Sequence, residues 1–412
     1  MGANRIEAVF RAEAGRVLAT LIRLVGDFEY AEDAMQEAFA AALVQWPATT
    51  IPDNPRAWLV NVARHKVIDR IRRQTSFQNK QRELEAEVSI NSHPAPNEAG
   101  EAALDDDMLR LIFTCCHPAL NMDAQVALTL RSVCSLPTEA VARAFLVTEE
   151  TMAQRLVRAK TKIRTARIPY ETPEPDQLAE RVDGVLAVIY LVFTEGYAPT
   201  TGAAATRADL SAEAIRLARL LNALMPGTPA IEGLLALLLL HDARRAARTT
   251  LDGDIILLEH QDRGLWDRAQ IAEGTALVET ALRAKGVPSV YAVQAAIVAL
   301  HGKAATFAET DWAQIVGLYE VLLKLQPSPV VALNHAAAVS MLDGPAKALN
   351  LVDSLAAREA LDSYHLLPAV RADLLRRLDR RDEARDAYRA ALDLVRLEPE
   401  RRLLERRLAE LG

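Results

Sequence analysis

One stretch of the chain places amide and guanidinium side chains at the spacing of a helix that reads DNA. Residues 136–167 read LPTEAVARAFLVTEETMAQRLVRAKTKIRTAR, and Thr148 stands where it can cap a second helix that begins at Glu149. The polar side and edges of that second helix carry Gln154, Arg155, Arg158 and Lys162. Glutamine and arginine hydrogen-bond to base edges, and lysine and arginine hold phosphates. The stretch therefore predicts a helix-turn-helix whose second helix enters the major groove.

The formal charge of the chain is unevenly distributed. The whole sequence carries −7, but residues 54–82 carry +7, residues 83–109 carry −8 and residues 152–167 carry +6. Two basic islands on either side of an acidic stretch could each contact the same polyanion, such as DNA. Two solvated helix faces explain the same pattern equally well. The six unopposed cations of the second island favour DNA binding over a generic helical hairpin.

The first 75 residues supply an acidic and amide face followed by a basic helix. The string AEDAMQEAFAAALVQWP (31–47) places three polar side chains within one helical turn, those of Asp33, Gln36 and Glu37. The string NPRAWLVNVARHKVIDRIRR (54–73) carries Asn61, Arg64, His65 and Arg72 on its polar surface. A basic helix that follows the proline-containing loop 51–55 could bind one strand of opened DNA. The loop could hold a base that has left the stack.

The sequence gives little indication of a metal site or of an enzyme active site. Cys115, Cys116 and His117 are consecutive, and consecutive helical side chains diverge by about 100°, so they cannot converge on one metal ion. We expect core cysteines beside an exposed or capping histidine. The sequence has no Ser-His-Asp signature and no G-x-x-x-x-G-K-[ST] loop. We therefore expect neither an enzyme nor a bound cofactor or metal.

The elements that must position these residues are helices. Half of the residues are apolar, 5% are aromatic, and 17 glycines and 19 prolines leave few helix breakers among 412 residues. Apolar residues after Val182 recur at helical spacing, namely Val185, Leu186, Ile189, Val192 and Phe193. Because no segment alternates with period two, the expected fold class is all-α.

No sequence feature indicates a membrane or an export route. The N-terminus is charged from residue 5 and lacks an apolar h-region. The longest aliphatic run, 234–240, falls far short of the ~20 residues of a membrane span. Three cysteines cannot form a disulfide framework, so we expect a soluble cytoplasmic protein without a membrane partner.

Two breaks divide the chain. Residues 76–103 lose apolar periodicity and are typical of an acidic flexible linker. Residues 169–175 (PYETPEP) hold three prolines, which must end any helix there. The expected domains are therefore 1–75, 104–168 and 176–412.

A period near 34 residues occurs late in the chain, most clearly in 310–397. Its three units are anchored by Ile315, Tyr319, Leu322 and Pro327, then Ala348 and Val352, then Ala384, Tyr388 and Ala391. The units begin 33 and 36 residues apart, close to the tetratricopeptide repeat. Generic antiparallel helix packing is the alternative. A repeat solenoid usually presents a surface to a protein or peptide partner.

The order of these motifs resembles the two-domain extracytoplasmic-function (ECF) sigma factors of bacterial RNA polymerase, in the sigma-70 family. The string AEDAMQEAF resembles their region 2.2, PRAWLVNVARHKVIDRIRR their regions 2.3–2.4, and the helix ending RLVRAKTKIR their region 4.2. The strings LIFTCCHPALN (111–121), FTEGYAPTTG (193–202) and PSPVVALNHAAAV (327–339) resemble a subgroup with a long tetratricopeptide-like C-terminal domain. The resemblance covers essentially the whole chain.

The resemblance implies a role for each matching position. Asp33, Gln36 and Glu37 match residues that dock on the clamp helices of the polymerase β′ subunit. Asn61, Arg64, His65 and Arg72 match the face that reads the −10 element, and the loop 47–55 matches the part that receives a flipped base. Gln154, Arg155, Val157, Arg158 and Lys162 match the helix that reads the −35 element. The implied partners are promoter DNA and core RNA polymerase, through its β′ clamp helices and β flap.

Three functional hypotheses follow from the sequence. The first is a sigma factor whose acidic linker threads through the polymerase and whose C-terminal helical domain is a fused regulator. The second is a helix-turn-helix transcriptional regulator with a tetratricopeptide-like interaction domain that never enters polymerase. The third is a scaffold whose basic helices bind only proteins. Only the first requires Asp33, Gln36 and Glu37 to be followed by the basic helix of residues 54–73.

Overall fold

The computed structural model describes residues 2–46, 51–74, 101–145, 147–197, 208–357 and 361–411. These residues form eighteen α-helices and no β-strand, which confirms the all-α prediction. The first eight are α1 (Gly2–Val25), α2 (Phe28–Gln45), α3 (Pro55–Gln74), α4 (Glu101–Cys115), α5 (Met122–Leu128), α6 (Thr138–Ala144), α7 (Glu149–Thr165) and α8 (Leu178–Tyr197). The next five are α9 (Ala208–Leu224), α10 (Pro229–Asp242), α11 (Arg268–Arg283), α12 (Val290–Lys303) and α13 (Trp312–Leu325). The last five are α14 (Pro329–Leu342), α15 (Pro345–Ala356), α16 (Leu366–Arg377), α17 (Arg381–Leu394) and α18 (Glu398–Ala409).

The chain divides into two compact units, Met1–Ile189 and Tyr190–Gly412. The division falls inside α8, downstream of the proline-rich residues 169–175. Within the described ranges, no helix is both long and apolar enough to cross a membrane. Most of the expected linker 76–103 lies outside the described residues, and α4 already includes 101–103.

The N-terminal module of the first unit consists of α1, α2 and α3, which pack on one another. The Asp27 side chain begins α2 by accepting hydrogen bonds from two backbone amides of the first turn. Asn54 begins α3, with its Oδ1 3.0 Å from the amide nitrogen of Ala57. Leu18 of α1 and Leu59 of α3 are fully buried in the shared core. The caps and the core together fix the directions in which α2 and α3 present their polar faces.

The second module of the same unit consists of α4 to α7 and contains the predicted helix-turn-helix. Helix α5 continues into a π-helical turn, Thr129–Val133, a form that is rare in proteins. Helix α7 begins at Glu149, and the Thr148 hydroxyl accepts a hydrogen bond from the amide of Thr151 at 3.2 Å. Met152 is fully buried on the inner side of α7. The predicted start and cap of the second helix are confirmed.

The second unit is built from helix pairs: α10 with α11, α12 with α13, α14 with α15 and α16 with α17. The three predicted repeat segments fall on α13, α15 and α17, the second helices of three consecutive pairs. Their buried anchors are Ile315, Leu322, Ala348, Val352, Ala384, Tyr388 and Ala391. Assignment of these hairpins to the tetratricopeptide family stays a prediction.

The helical face predicted in residues 182–193 is confirmed. All six of its apolar residues are buried in α8, namely Val182, Val185, Leu186, Ile189, Val192 and Phe193. Three of them lie in the first half of the helix and three in the second, so one continuous apolar stripe runs along both halves.

Helices α10 and α12 approach each other so closely at Gly233 that adding one methyl group there should affect stability. A β-carbon at Gly233 would lie 2.7 Å from the backbone nitrogen of Ala292. We expect Gly233→Ala to lower the free energy of unfolding of the second unit by about 1–3 kcal/mol, because backbone atoms must move apart. Urea denaturation followed by tryptophan fluorescence measures this effect.

The matched control is Gly317→Ala in α13, where an added β-carbon meets no atom of the described residues within 4 Å. There alanine removes only the entropic cost of glycine, and we expect a gain of about 0.5–1 kcal/mol. Equal effects of the two substitutions would contradict the close packing at Gly233.

Candidate nucleic-acid interface

The outer face of α7 carries the residues that the sequence assigns to −35 recognition. Gln154, Val157, Arg158 and Lys162 are exposed, and Arg155 is half-buried. Met152, Leu156 and Ala159 form the buried face, on the opposite side of the helix. The helix therefore offers an amide, two guanidinium groups and an ammonium group to a partner outside the module.

Three of these cations line one open cavity between α7 and the start of α5. The cavity measures about 540 Å³, and its walls include Arg155, Arg158, Lys162, Asn121 and Asp123. The Asn121 side chain is occupied as the cap of α5, where it accepts a hydrogen bond from an amide at 2.9 Å. The positive lining suits a phosphate oxygen, the commonest partner of lysine and arginine in protein–DNA contacts.

Two of the six cations in 152–167 point elsewhere, which the charge count alone did not indicate. Lys160 and Arg164 form ion pairs with α2, at Glu32 and Glu29 respectively. The Arg164 pair is solvent-exposed and spans 3.5 Å between Nη1 and Glu29 Oε2. Within the second basic island, Arg155, Arg158 and Lys162 therefore face away from the N-terminal module, whereas Lys160 and Arg164 bind it.

Glu32 holds the two modules together through a buried carboxylate. Its Oε2 contacts Lys160 Nζ, and its Oε1 lies 3.2 Å from Nη2 of Arg131 in the π-helical turn. The side chains of Glu32, Lys160 and Arg131 are only 10%, 12% and 16% exposed. Charges buried to this degree are stable only when paired, so each partner depends on the others.

Two further contacts join the modules on the side of α1. A β-carbon at Gly15 would lie 2.6 Å from the carbonyl oxygen of Val133, so the absence of a side chain lets α1 touch the π-helical turn. Arg23 donates a hydrogen bond to Asp107 of α4, with 2.7 Å between Nε and Oδ1. Burial raises the pKa of the Asp107 carboxyl above its usual value, although the neighbouring guanidinium opposes that rise.

The acidic and amide face of α2 lies on the exposed side of that helix. Asp33, Gln36 and Glu37 are all exposed, as the sequence predicts. Glu37 also lies 3.6 Å from Nζ of Lys66 in α3, and both side chains are half exposed. An exposed ion pair of this kind is worth less than about 1 kcal/mol, so it exchanges readily for contacts with a partner.

The polar surface of α3 is partly described. Asn61 and Arg64 are half-buried, and His65 is exposed. His65 Nδ1 lies 2.9 Å from the carbonyl oxygen of Asn61 and must donate to it, so the neutral ring presents Nε2 as an acceptor. The side chain of Arg72 and residues 47–50 of the predicted base-receiving loop lie outside the described residues.

The cysteines are packing residues, as expected. Cys115, Cys116 and Cys134 are buried, and no disulfide joins them. Burial raises the pKa of Cys115 well above its usual value and that of Cys116 to about 11, so both thiols stay protonated and unreactive. His117 is half-buried, and its Nδ1 accepts a hydrogen bond from the amide of Ala119 at 3.1 Å, which confirms its capping role.

Sequence reasoning missed Glu32, although the sequence contains a signal for it. Phe28, Ala31, Met35 and Phe39 recur at helical spacing and are buried, and Glu32 falls on the same face. A carboxylate on the apolar face of a helix must be paired. The partners are 99 and 128 residues away in sequence, so no local pattern identifies them.

Two family models match parts of the chain. Residues 9–77 match the sigma-70 region 2 family, and residues 181–282 match DUF6596, a family of unknown function. The uncharacterized protein R00370 of Rhizobium meliloti (strain 1021) is 44% identical over 381 residues, which cover 92% of this chain and 89% of that protein.

A more distant relative carries a functional name. The probable ECF RNA polymerase sigma factor SigI of Mycobacterium tuberculosis is 26% identical over 163 residues, in strains CDC 1551 / Oshkosh and ATCC 25618 / H37Rv. The match covers 40% of this chain and 56% of SigI, so it spans little more than half of that relative. No solved structure matches the chain.

The buried carboxylate gives a stability prediction. We expect Glu32→Gln to lower the free energy of local opening of α2 and α7 by about 3 kcal/mol, because Lys160 and Arg131 lose their buried counter-charge. Native-state hydrogen exchange of the amides in these two helices measures that free energy.

Glu29→Gln is the matched control, since Glu29 is on the same helix and its ion pair with Arg164 is exposed. We expect it to change the opening free energy by less than about 1 kcal/mol. Indistinguishable exchange in the two variants would mean that Glu32 contributes no more than a surface charge.

Proposed function

The chain belongs to the same family as R00370 and contains a sigma-70 region 2 domain, and from that premise we propose that it directs core RNA polymerase to specific promoters. The observation that carries the proposal is the region 2 match over the N-terminal module, followed in the same unit by a helix-turn-helix with a basic outer face. This role is one of binding and positioning, without catalysis.

Docking on the polymerase is assigned to the exposed face of α2. Asp33, Gln36 and Glu37 point away from the module core, so they can reach a partner without any change in the fold. Carboxylates and an amide within one turn suit a basic or amide-rich helical surface, such as the β′ clamp helices. The other proposed contact, with the β flap, belongs to the helix-turn-helix module.

Recognition of the −10 element is assigned to α3. Asn61, Arg64 and Arg72 supply donors for phosphates and base edges, and residues 47–55 hold the flipped base. His65 adds a specific capacity: in the tautomer that donates from Nδ1, its Nε2 can accept a hydrogen bond, as from the exocyclic amine of adenine or cytosine. These bases are single-stranded once the promoter opens, so their Watson–Crick edges are accessible.

Recognition of the −35 element is assigned to the outer face of α7. Gln154, Arg155, Val157 and Arg158 face base edges, and Lys162 faces the phosphate backbone. Arg155 and Arg158 stand one turn from each other and three residues apart, so both can enter one groove. The inner cations Lys160 and Arg164 take no part in this contact.

The two DNA-binding faces cannot work together while Glu32 holds the modules in contact. Promoter elements about 25 base pairs apart are separated by about 85 Å of duplex. A compact unit of 189 residues has a radius of gyration of about 16 Å and hence a diameter of roughly 40 Å. We therefore assign the compact arrangement to the free protein and an opened arrangement to the promoter-bound holoenzyme.

The second unit is assigned a regulatory role, with its helical pairs offering a surface to a protein or peptide partner. Most of the match to a family of unknown function, residues 181–282, falls in this unit, separate from the sigma-70 region 2 match of residues 9–77. Cytoplasmic location follows from the proposed work on polymerase.

The proposal predicts the effect of removing the docking face. In run-off transcription of genomic fragments with purified core polymerase, we expect initiation at discrete sites that depends on the protein. Asp33→Ala combined with Gln36→Ala should reduce that initiation at least tenfold, because both exposed contacts with the clamp helices are lost. Sequencing of the transcripts then identifies the promoters directly.

The control carries the same two types of substitution at exposed positions of the first unit, Asp176→Ala with Gln177→Ala, and should initiate normally. Absence of specific initiation and of core binding would refute the sigma-factor assignment. Tight binding to duplex DNA by the protein alone would then favour a helix-turn-helix regulator.

Opening of the first unit is measurable by energy transfer between fluorophores. Because the three native cysteines are buried, dyes can be placed selectively on Gln45→Cys in α2 and Glu150→Cys in α7, both exposed. We expect efficient transfer in the free protein and a loss of transfer in the promoter-bound holoenzyme, as the separation grows by about 40 Å. Adding Glu32→Lys should lower transfer in the free protein by placing three cations together.

A dye pair within α2, on Gln45→Cys and Tyr30→Cys, both exposed, should keep its transfer efficiency throughout. Transfer between the modules that remains efficient in a transcribing holoenzyme would show that the compact arrangement is also the working one.

A further inference from the structure

The second unit contains an open cavity that plays no part in the proposed binding of DNA and polymerase. The cavity measures about 280 Å³ and is bounded by the C-terminal half of α8 together with α10, α12, α13 and α14. Its apolar lining comes from Leu237, Ile297, Val298, Leu322 and Val331. With a liquid water occupying about 30 Å³, the volume suits a molecule of one or two rings.

Four polar side chains line this apolar cavity without hydrogen bonds inside the described chain. They are the phenols of Tyr190 and Tyr319 and the carboxamides of Gln294 and Asn334. They come from four different helices, yet they share one small volume. Polar groups that meet at an apolar surface and lack protein partners are the usual feature of a binding site for a small molecule.

The cavity carries no net charge. Among the described residues, no Asp, Glu, Lys or Arg lines it. Burial, reinforced by the neighbouring Arg244 and Arg248, keeps the pKa of His241 well below its usual value. Burial also raises the pKa of Tyr319 to about 12 and raises that of Tyr190, so both phenols stay protonated. An ionic ligand would lose its hydration here without gaining a counter-ion.

One wall of the cavity is a rigid aromatic surface. Phe193 and Tyr197 stack at 5.5 Å between ring centroids, and the His241 ring lies 4.8 Å from Tyr197. The Arg248 guanidinium covers Tyr197 from 3.5 Å, and Arg244 donates to the Tyr197 hydroxyl at 3.0 Å. Because these contacts hold the rings in place before any ligand arrives, a ligand can pack against the accessible ring edges at little entropic cost.

We propose that this cavity is an effector site for a small, uncharged aromatic molecule that carries hydrogen-bonding groups. The ring of the ligand packs against the edge of the Tyr197 ring and on the aliphatic floor. Its polar groups bond to the amides of Gln294 and Asn334 and to the two phenols. A carboxamide both donates and accepts, so an amide or lactam group on the ligand is the best complement.

The test uses two matched pairs of probes that differ in charge but little in shape. Benzamide and nicotinamide are neutral, whereas benzoate and nicotinate are anions. Saturation-transfer difference NMR with the full chain reports binding of each probe at millimolar concentration. We expect at least one neutral probe to bind, and to bind at least tenfold more tightly than its anion.

Variants locate the binding within the molecule. Gln294→Leu and Asn334→Leu keep the side-chain size but remove the hydrogen bonds, and each should weaken the neutral probe at least threefold. Gln314→Leu and Asn350→Leu make the same changes at exposed positions outside the cavity and should leave binding unchanged. Because Asn334 is itself exposed at the rim, its variant is expected to fold, which the thermal midpoint checks.

Three results would overturn the proposal: no neutral probe binds, the anions bind equally well, or the cavity variants bind as the wild type does. Because the measurement involves neither polymerase nor promoter, it tests the effector site independently of the sigma-factor assignment.

Discussion

The arrangement of the first unit depends on one buried carboxylate. Glu32 lies on the apolar face of α2, where an unpaired charge would cost several kcal/mol of folding free energy. Lys160 and Arg131 of the other module offset this cost by pairing with the carboxylate. The ion pairs do not have to add stability to be useful, because an apolar contact of similar size could hold two helices together as well. Their contribution is specificity: only one register of α7 against α2 brings both cations to the carboxylate. That register directs Arg155, Arg158 and Lys162 outward, away from the N-terminal module.

The same contact makes the compact arrangement reversible. An apolar interface between two modules exposes hydrophobic surface to water when it opens, and it therefore opens rarely. Here the interface includes the buried charges of Glu32, Lys160 and Arg131 beside a close backbone approach at Gly15, and these three charged groups gain hydration when they separate. The hydration of these groups therefore offsets part of the free energy needed to open the interface. For the proposed promoter-binding role, an interface that contains such charges is better suited than a purely apolar one.

The sequence is informative where function depends on local pattern. Thr148 capping α7, the buried stripe of α8 and the outward faces of α2 and α7 all follow from helical periodicity and capping preference. The sequence is uninformative where residues meet across the fold. A count of charges groups Lys160 with the outward cations of α7, because it cannot distinguish the two sides of one helix. The cavity of the second unit could not be anticipated either, since Tyr190 and Asn334 are far apart in sequence and ordinary by type.

The π-helical turn at Thr129–Val133 places a constraint on the length of the chain as well as on its composition. A π-helical turn contains one residue more than the α-helical turn that would replace it. Deleting any single residue there would restore a regular helix but rotate the following residues by about 100°. Val133 would then leave its position against Gly15, and Arg131 could not keep its direction toward Glu32. Among proteins that share this interface, the spacing between α5 and α6 should therefore tolerate substitutions far more readily than insertions or deletions.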